Sequence, residues 1–271
     1  MTGRSEFIEK YFEVCTDLNK RGISVAMMDW RGQGLSERLL PVREKGHIQD
    51  FGVYRSDLAK FTDEVAKEEF AGPYILMTHS MGGPPGLQLL ADGDDRFSCA
   101  VLCAPMTRLF DDFLKRTLVR WLTQSVSTLG GSRQSVFGVK EDSMEFAGNV
   151  LTTDETRHNR FRDLQLAAPN AMIREPTYGW LRAAFASMED LHKKERFKSL
   201  KTPVLIVSAE DDRLVCALDH HWLASQSPMI ECTTVKEALH EIMMEADQYR
   251  SQYWKAFDSF VDKHVFGANT L

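Results

Sequence analysis

"YILMTHSMGGPPGLQLL", residues 74–90, decides how this chain is read. An apolar run ends in a serine, glycines and prolines follow at once, and a helical pattern comes next. A serine that acts as a nucleophile must protrude from a tight strand-to-helix turn, which strains the backbone and demands small neighbours. Ser80 stands at such a turn, and Gly82 supplies the small residue two positions on. The N–H of Met81 would then point toward a developing oxyanion, at a helix N-terminus where partial positive charge gathers. One position departs from the G-x-S-x-G elbow: Thr78 stands where the first glycine is expected. Its branched side chain suits a strand but adds bulk where strand and helix approach. Pro84 falls in the first helical turn, where an N–H has no helical partner. Pro85 sits at the margin of that tolerance.

Four further apolar runs read as buried strands: "ISVAMMDW" (23–30), "FSCAVLCAP" (97–105), "PVLIVSAE" (203–210) and "IECTTV" (230–235). Residues 54–70 place Leu58, Phe61, Val65 and Phe70 at helical spacing with charges opposite. Strand–helix alternation predicts an α/β fold with right-handed crossovers and a mostly parallel sheet flanked by helices. Sites in such sheets lie at the C-terminal ends of strands. The strand pattern stops after residue 105 and resumes near 201, a longer gap than one crossover needs. Within it, "RLFDDFLKRTLVRWL" puts Leu109, Phe110, Phe113, Leu114, Leu118, Trp121 and Leu122 on one apolar face, and "GGSRQSVFG" follows as a loop. We therefore expect a core made of 1–105 and 201–271, with 106–200 inserted as a helical cap or lid whose apolar side chains face Ser80.

Ser80 needs a base. "EALHEIMME" places His240 just past the last strand. "HEIMM" is not a zinc motif, because Met244 stands where H-E-x-x-H requires its second histidine. His79 is too close to Ser80 along the strand to reach its hydroxyl. The base needs an acid to orient it. "VLIVSAEDDRLV" ends a strand in acids, of which Asp212 is the first choice and Asp211 the alternative. The chain order Ser80, Asp212, His240 is that of an α/β-hydrolase triad.

The bulk numbers set limits. The 271 residues suffice for one large α/β domain with an insertion. A net charge of −6 points away from a nucleic-acid partner. No apolar run approaches the roughly 18 residues that span a bilayer, and "MTGRSEFIEKYFEV" lacks a signal-peptide core. The five cysteines show no C-x-x-C spacing and no zinc-type cluster, and an odd count without a signal sequence argues for a reducing compartment. No metal or organic cofactor is implied. The expected location is cytoplasmic, with any membrane contact peripheral to the inner membrane; oligomeric state is not encoded in any motif.

Together, "DWRGQGLSER", "GHIQDFGVYRSDL", "HSMGG", "LCAPM", "SAEDDRLV" and "LHEI" occur in family order across most of the chain. On these the sequence resembles the α/β-hydrolases of the bacterial lysophospholipase and monoacylglycerol lipase branch. "PTYGWLRAAF" is similar to the lid region of lysophospholipase-like members. The resemblance implies a serine hydrolase cleaving carboxylic esters of lipid-like substrates through an acyl-enzyme. It selects Asp212, which directly precedes an R-[IL]-V stretch, as the triad acid. It aligns "TGRSEF" with an oxyanion loop, so that Gly3 matches the loop glycine and Arg4 supplies the second oxyanion N–H beside Met81. It also implies about three strands ahead of that loop that the sequence given does not contain. Two rival readings remain: a small-ester or thioester hydrolase, and a catalytically impaired α/β-hydrolase that acts as a binding protein.

Overall fold

The computed structural model describes residues 1–137 and 144–267; Gly138, at the end of the expected "GGSRQSVFG" loop, lies outside them. Strands are β1 (Lys45–Gly46), β2 (Ile75–His79), β3 (Cys99–Cys103), β4 (Glu175–Pro176), β5 (Val204–Ala209) and β6 (Ile230–Val235). Helices are α1 (Phe12–Asn19), α2 (Gly52–Phe61), α3 (Lys67–Glu69), α4 (Gly83–Ala91), α5 (Phe113–Val126), α6 (Glu155–Ala167), α7 (Tyr178–Leu191), α8 (Ala217–Ala224) and α9 (Asp247–Val261). β2, β3, β5 and β6 form an all-parallel sheet in the order β2-β3-β5-β6, while β1 and β4 make a separate short pair.

Strict alternation along the two central strands builds two cores. Ala100 and Leu102 of β3, with Val204 and Ile206 of β5, join Trp30, Tyr54, Leu87 and Trp180 on one face. Cys99, Val101 and Cys103, with Leu205 and Val207, join Tyr11, Leu18, Tyr253 and Phe257 on the other. Both strands are therefore buried throughout, which is why they read as continuous apolar runs rather than as alternating ones. The cysteines behave as small core residues or lie half-buried, and all five are free. Glu13 of α1 ties the periphery together by pairing with Arg157 and Arg160 of α6 and with Arg250 of α9.

Residues 23–30 differ from expectation. They carry no strand ladder among the described residues. A cavity of about 490 Å³ is lined by both Ile23–Met27 and Ile75–Thr78, and no ladder joins the two segments among the described residues. A parallel strand exists only through its neighbour, and β-branched composition alone does not supply one. Phe61 and Phe70 of the 54–70 segment line the same cavity, and Phe70 and Val65 are exposed. Met1 closes one end of the gap: its N–H group donates to Met77 O and its carbonyl accepts from His79 N.

The segment 106–200 is mostly helical. α7 is buried along most of its length and packs on α4 and α5. α5 is different: Phe113, Leu114, Leu118, Trp121 and Leu122 are all exposed, up to 76% for Leu114. The periodicity of this helix is legible, but whether its apolar face is covered is not a local property of sequence.

Candidate active site

Ser80 sits immediately after β2 with φ of 48°, in the left-handed region that a non-glycine residue rarely adopts. The turn is locked by Met106 N donating to Ser80 O at 2.9 Å. Two glycines make it sterically feasible. A Cβ on Gly82 would meet Thr2 O at 3.0 Å, and one on Gly83 would meet Pro105 Cβ at 2.4 Å. Pro84 lies in the first turn of α4, as expected.

Thr78 keeps its bulk because the helix yields instead. Its Cγ2 would lie 3.1 Å from a Cβ on Gly86, so the space a glycine would leave in the strand is left in α4. We expect Thr78→Gly to change kcat by less than about three-fold. It should cost about 0.5–1 kcal/mol of stability, since glycine weakens a strand. Ester kinetics and thermal unfolding on one preparation check this, and a ten-fold fall in kcat would contradict it.

The structure brings the three distant residues together. His240 Nε2 lies 2.9 Å from Ser80 Oγ, and His240 Nδ1 lies 2.7 Å from Asp212 Oδ2. Asp212 follows β5, and its other oxygen accepts from Leu214 N at 2.8 Å and Val215 N at 3.0 Å. Its side chain has no exposed surface. Burial alone would raise the Asp212 pKa, but the hydrogen bond and charge of His240, with the two amides, hold it below the usual carboxylate range. Asp211 is exposed, and its N–H donates to Ala238 O. Three other histidines have partners of their own: His47 against Thr177, His220 against Ser208 and Pro105 O, and His192 against Asp219.

Met81 is fully buried beneath the elbow. Residues 1–5 lie against the same turn. Gly3 N donates to Glu6 Oε2 and Ser5 N to Gln33 Oε1, so the amides on either side of Arg4 are both held. The Arg4 guanidinium lies over the Trp180 ring.

Three contributors were not singled out from sequence. Gln33, within "DWRGQGLS", joins the two sides of the elbow: its Oε1 holds Ser5 N and its Nε2 donates to Met81 Sδ. Glu245 is buried and accepts from Leu239 N at 2.9 Å and Thr153 N at 2.8 Å, fixing the loop that carries His240. Glu6 is the third. Its segment, "MTGRSEFIEK", mixes charged and apolar residues, so nothing in the sequence sets Glu6 apart from Glu9 or Lys10, and its partners are revealed only by folding. Among the described residues no cluster of His, Cys, Asp and Glu could hold a metal ion.

A parallel sheet with a serine on a positive-φ turn, facing a histidine from the last loop, is the arrangement of the α/β-hydrolase class, and solved structures of that class share the fold. The structure is similar to a soluble variant of monoglyceride lipase from Saccharomyces cerevisiae, with a TM-score of 0.78 at 17% identity over 98% of this chain and 86% of that one. It is also similar to Paleococcus ferrophilus monoacylglycerol lipase, with a TM-score of 0.75 at 16% identity over 97% and 93%. Residues 1–247 match the family described as Hydrolase_4, Serine aminopeptidase, S33, and the chain belongs to that family. Among curated relatives, it is 30% identical to lysophospholipase L2 of Escherichia coli strain K12, over 97% of this chain and 79% of that protein. It is 28% identical to probable lysophospholipase L2 of Haemophilus influenzae, over 97% and 82%.

Proposed function

We propose that this chain is a serine hydrolase that cleaves carboxylic esters of lipid-like substrates, either lysophospholipids or monoacylglycerols. The coarse activity, ester hydrolysis by an α/β-hydrolase, rests on the family and on the lysophospholipase and lipase relatives. For the mechanism, the observation that carries the reading is the continuous Ser80–His240–Asp212 hydrogen-bond chain beginning at a strained elbow. His240 Nε2 takes the Ser80 proton as Oγ attacks the ester carbonyl, and Asp212 orients the imidazole and stabilises its cation. The N–H groups of Met81 and Arg4 hold the oxyanion. His240 then gives the proton to the leaving alcohol, and water releases the acyl group by the same route in reverse.

The fatty part of the substrate needs an apolar surface. The cavity beside β2 does not supply it, since none of Ser80, Asp212 and His240 lines it. The exposed face of α5 fits better. Its Leu114, Leu118 and Trp121 stand beside Lys115, Arg116 and Arg120, the composition of a helix that rests in a lipid interface. On this reading 106–200 forms the cap and contact with a membrane is peripheral. No helix among the described residues is long and apolar enough to cross one.

Ester chain-length profiling tests the substrate class. Each buried methylene is worth about 0.8 kcal/mol, so kcat/KM should rise roughly four-fold per carbon until the acyl site is filled. A flat profile from acetyl to long acyl esters would move the assignment to a small-ester or thioester hydrolase.

A further inference from the structure

Behind the Ser80–His240 pair lies a second group of ionisable side chains that the proposed chemistry does not use. Glu6, Lys10, His79 and Glu241 are each at most 8% exposed. Lys10 Nζ bridges two carboxylates, Glu6 Oε1 at 2.7 Å and Glu241 Oε1 at 2.5 Å. Glu6 Oε2 accepts from Gly3 N at 2.5 Å and Tyr11 OH at 2.6 Å, with His79 Nδ1 at 3.2 Å. His79 Nε2 faces His240 O at 3.4 Å, and the two imidazoles lie 5.0 Å apart. Both His79 nitrogens thus face pure acceptors, which only a doubly protonated ring satisfies. Two carboxylates, one ammonium and one imidazolium then balance.

Burying four charges is expensive. Such a cluster seldom stabilises a fold more than apolar side chains of the same volume would. Its worth here is its connectivity. One end holds the amide of Gly3, beside Arg4 on the loop at the elbow. The other end is Glu241, next in the chain to His240. His79, next to Ser80, faces Glu6 on one side and the carbonyl of His240 on the other. The three segments that must agree for catalysis come from residues 3–6, 79–80 and 240–241, and this cluster is a point where all of them meet.

We propose that Glu6 is a positioning residue: it sets the loop bearing the Gly3 and Arg4 amides against the Ser80–His240 pair, with Lys10 and Glu241 relaying its hold to the base. This rests on the serine-hydrolase reading above. The interactions it aligns matter mainly when charge develops on the substrate oxygen, so its loss lowers kcat and spares KM.

The test is Glu6→Gln, which keeps an oxygen for Gly3 N–H but removes the charge that holds Lys10 and His79. Active serine is first titrated with a fluorophosphonate, so that kcat is expressed per competent site and misfolded protein is not counted. We expect kcat per titrated serine to fall about ten- to a hundred-fold, below the full cost of a missing oxyanion donor. KM should stay within about two-fold and the phosphonylation rate should fall in parallel. If Glu6→Gln does not fold, Tyr11→Phe removes one donor to the same oxygen and should lower kcat per site by two- to five-fold, again with KM held. An unchanged kcat per titrated serine, or a rise in KM that accounts for the whole loss, overturns the positioning role. Failure of the underlying reading looks different: the wild-type protein itself would take up no fluorophosphonate.

Discussion

Ser80→Ala and His240→Ala should each lower kcat on a monoacyl ester by roughly 10⁵- to 10⁶-fold while the thermal midpoint stays within a few degrees. The size follows from the two acting as one unit, in which losing either member costs nearly as much as losing both. The double variant should therefore be no slower than either single. The small effect on stability follows from geometry. Ser80 is half-buried and its Oγ bonds His240, so alanine removes that hydrogen bond at a site where the backbone is already strained. Steady-state kinetics and thermal unfolding on the three variants check both halves. Retained turnover in Ser80→Ala, or additive losses in the double variant, would remove Ser80 from its role.

The second large effect discriminates between adjacent acids. Asp212→Asn should lower kcat by roughly 10⁴-fold, whereas Asp211→Asn should stay within about three-fold. Asp212 Oδ1 is already fixed by the amides of Leu214 and Val215, so its other atom must face His240 Nδ1. In the asparagine variant that atom is an NH₂ group. It can only donate, which forces the proton of His240 onto Nε2, where it can no longer accept from Ser80. Asp211 is solvent-exposed and engages the site through its backbone alone. A larger loss for Asp211→Asn would reassign the acid.

Much of this was legible because it is local. β2, β3, β5 and β6 fall where apolar runs predicted them, and the chain order of Ser80, Asp212 and His240 placed three candidates the structure brings within hydrogen-bond reach. Thr78 read as an anomaly because its compensation lies eight residues on, at Gly86, and only the packing of strand on helix connects the two. "ISVAMMDW" read as a strand because its composition is that of one, yet pairing depends on a neighbour and a cavity lies where that neighbour would be. The apolar face of α5 was visible as a pattern, but its exposure was not. The Glu6–Lys10–Glu241 connection joins residues more than 200 positions apart, which no periodicity or motif expresses.

The central claim is that Ser80 is an activated nucleophile, and covalent labelling tests it most directly. Folded wild-type protein treated with a fluorophosphonate should gain the mass of one adduct, mapped to the peptide that carries Ser80, and Ser80→Ala should gain none. His240→Ala should label far more slowly, because the hydroxyl has lost its base. A folded wild-type protein that stays unlabelled, or one whose adduct maps to another serine, would contradict the account.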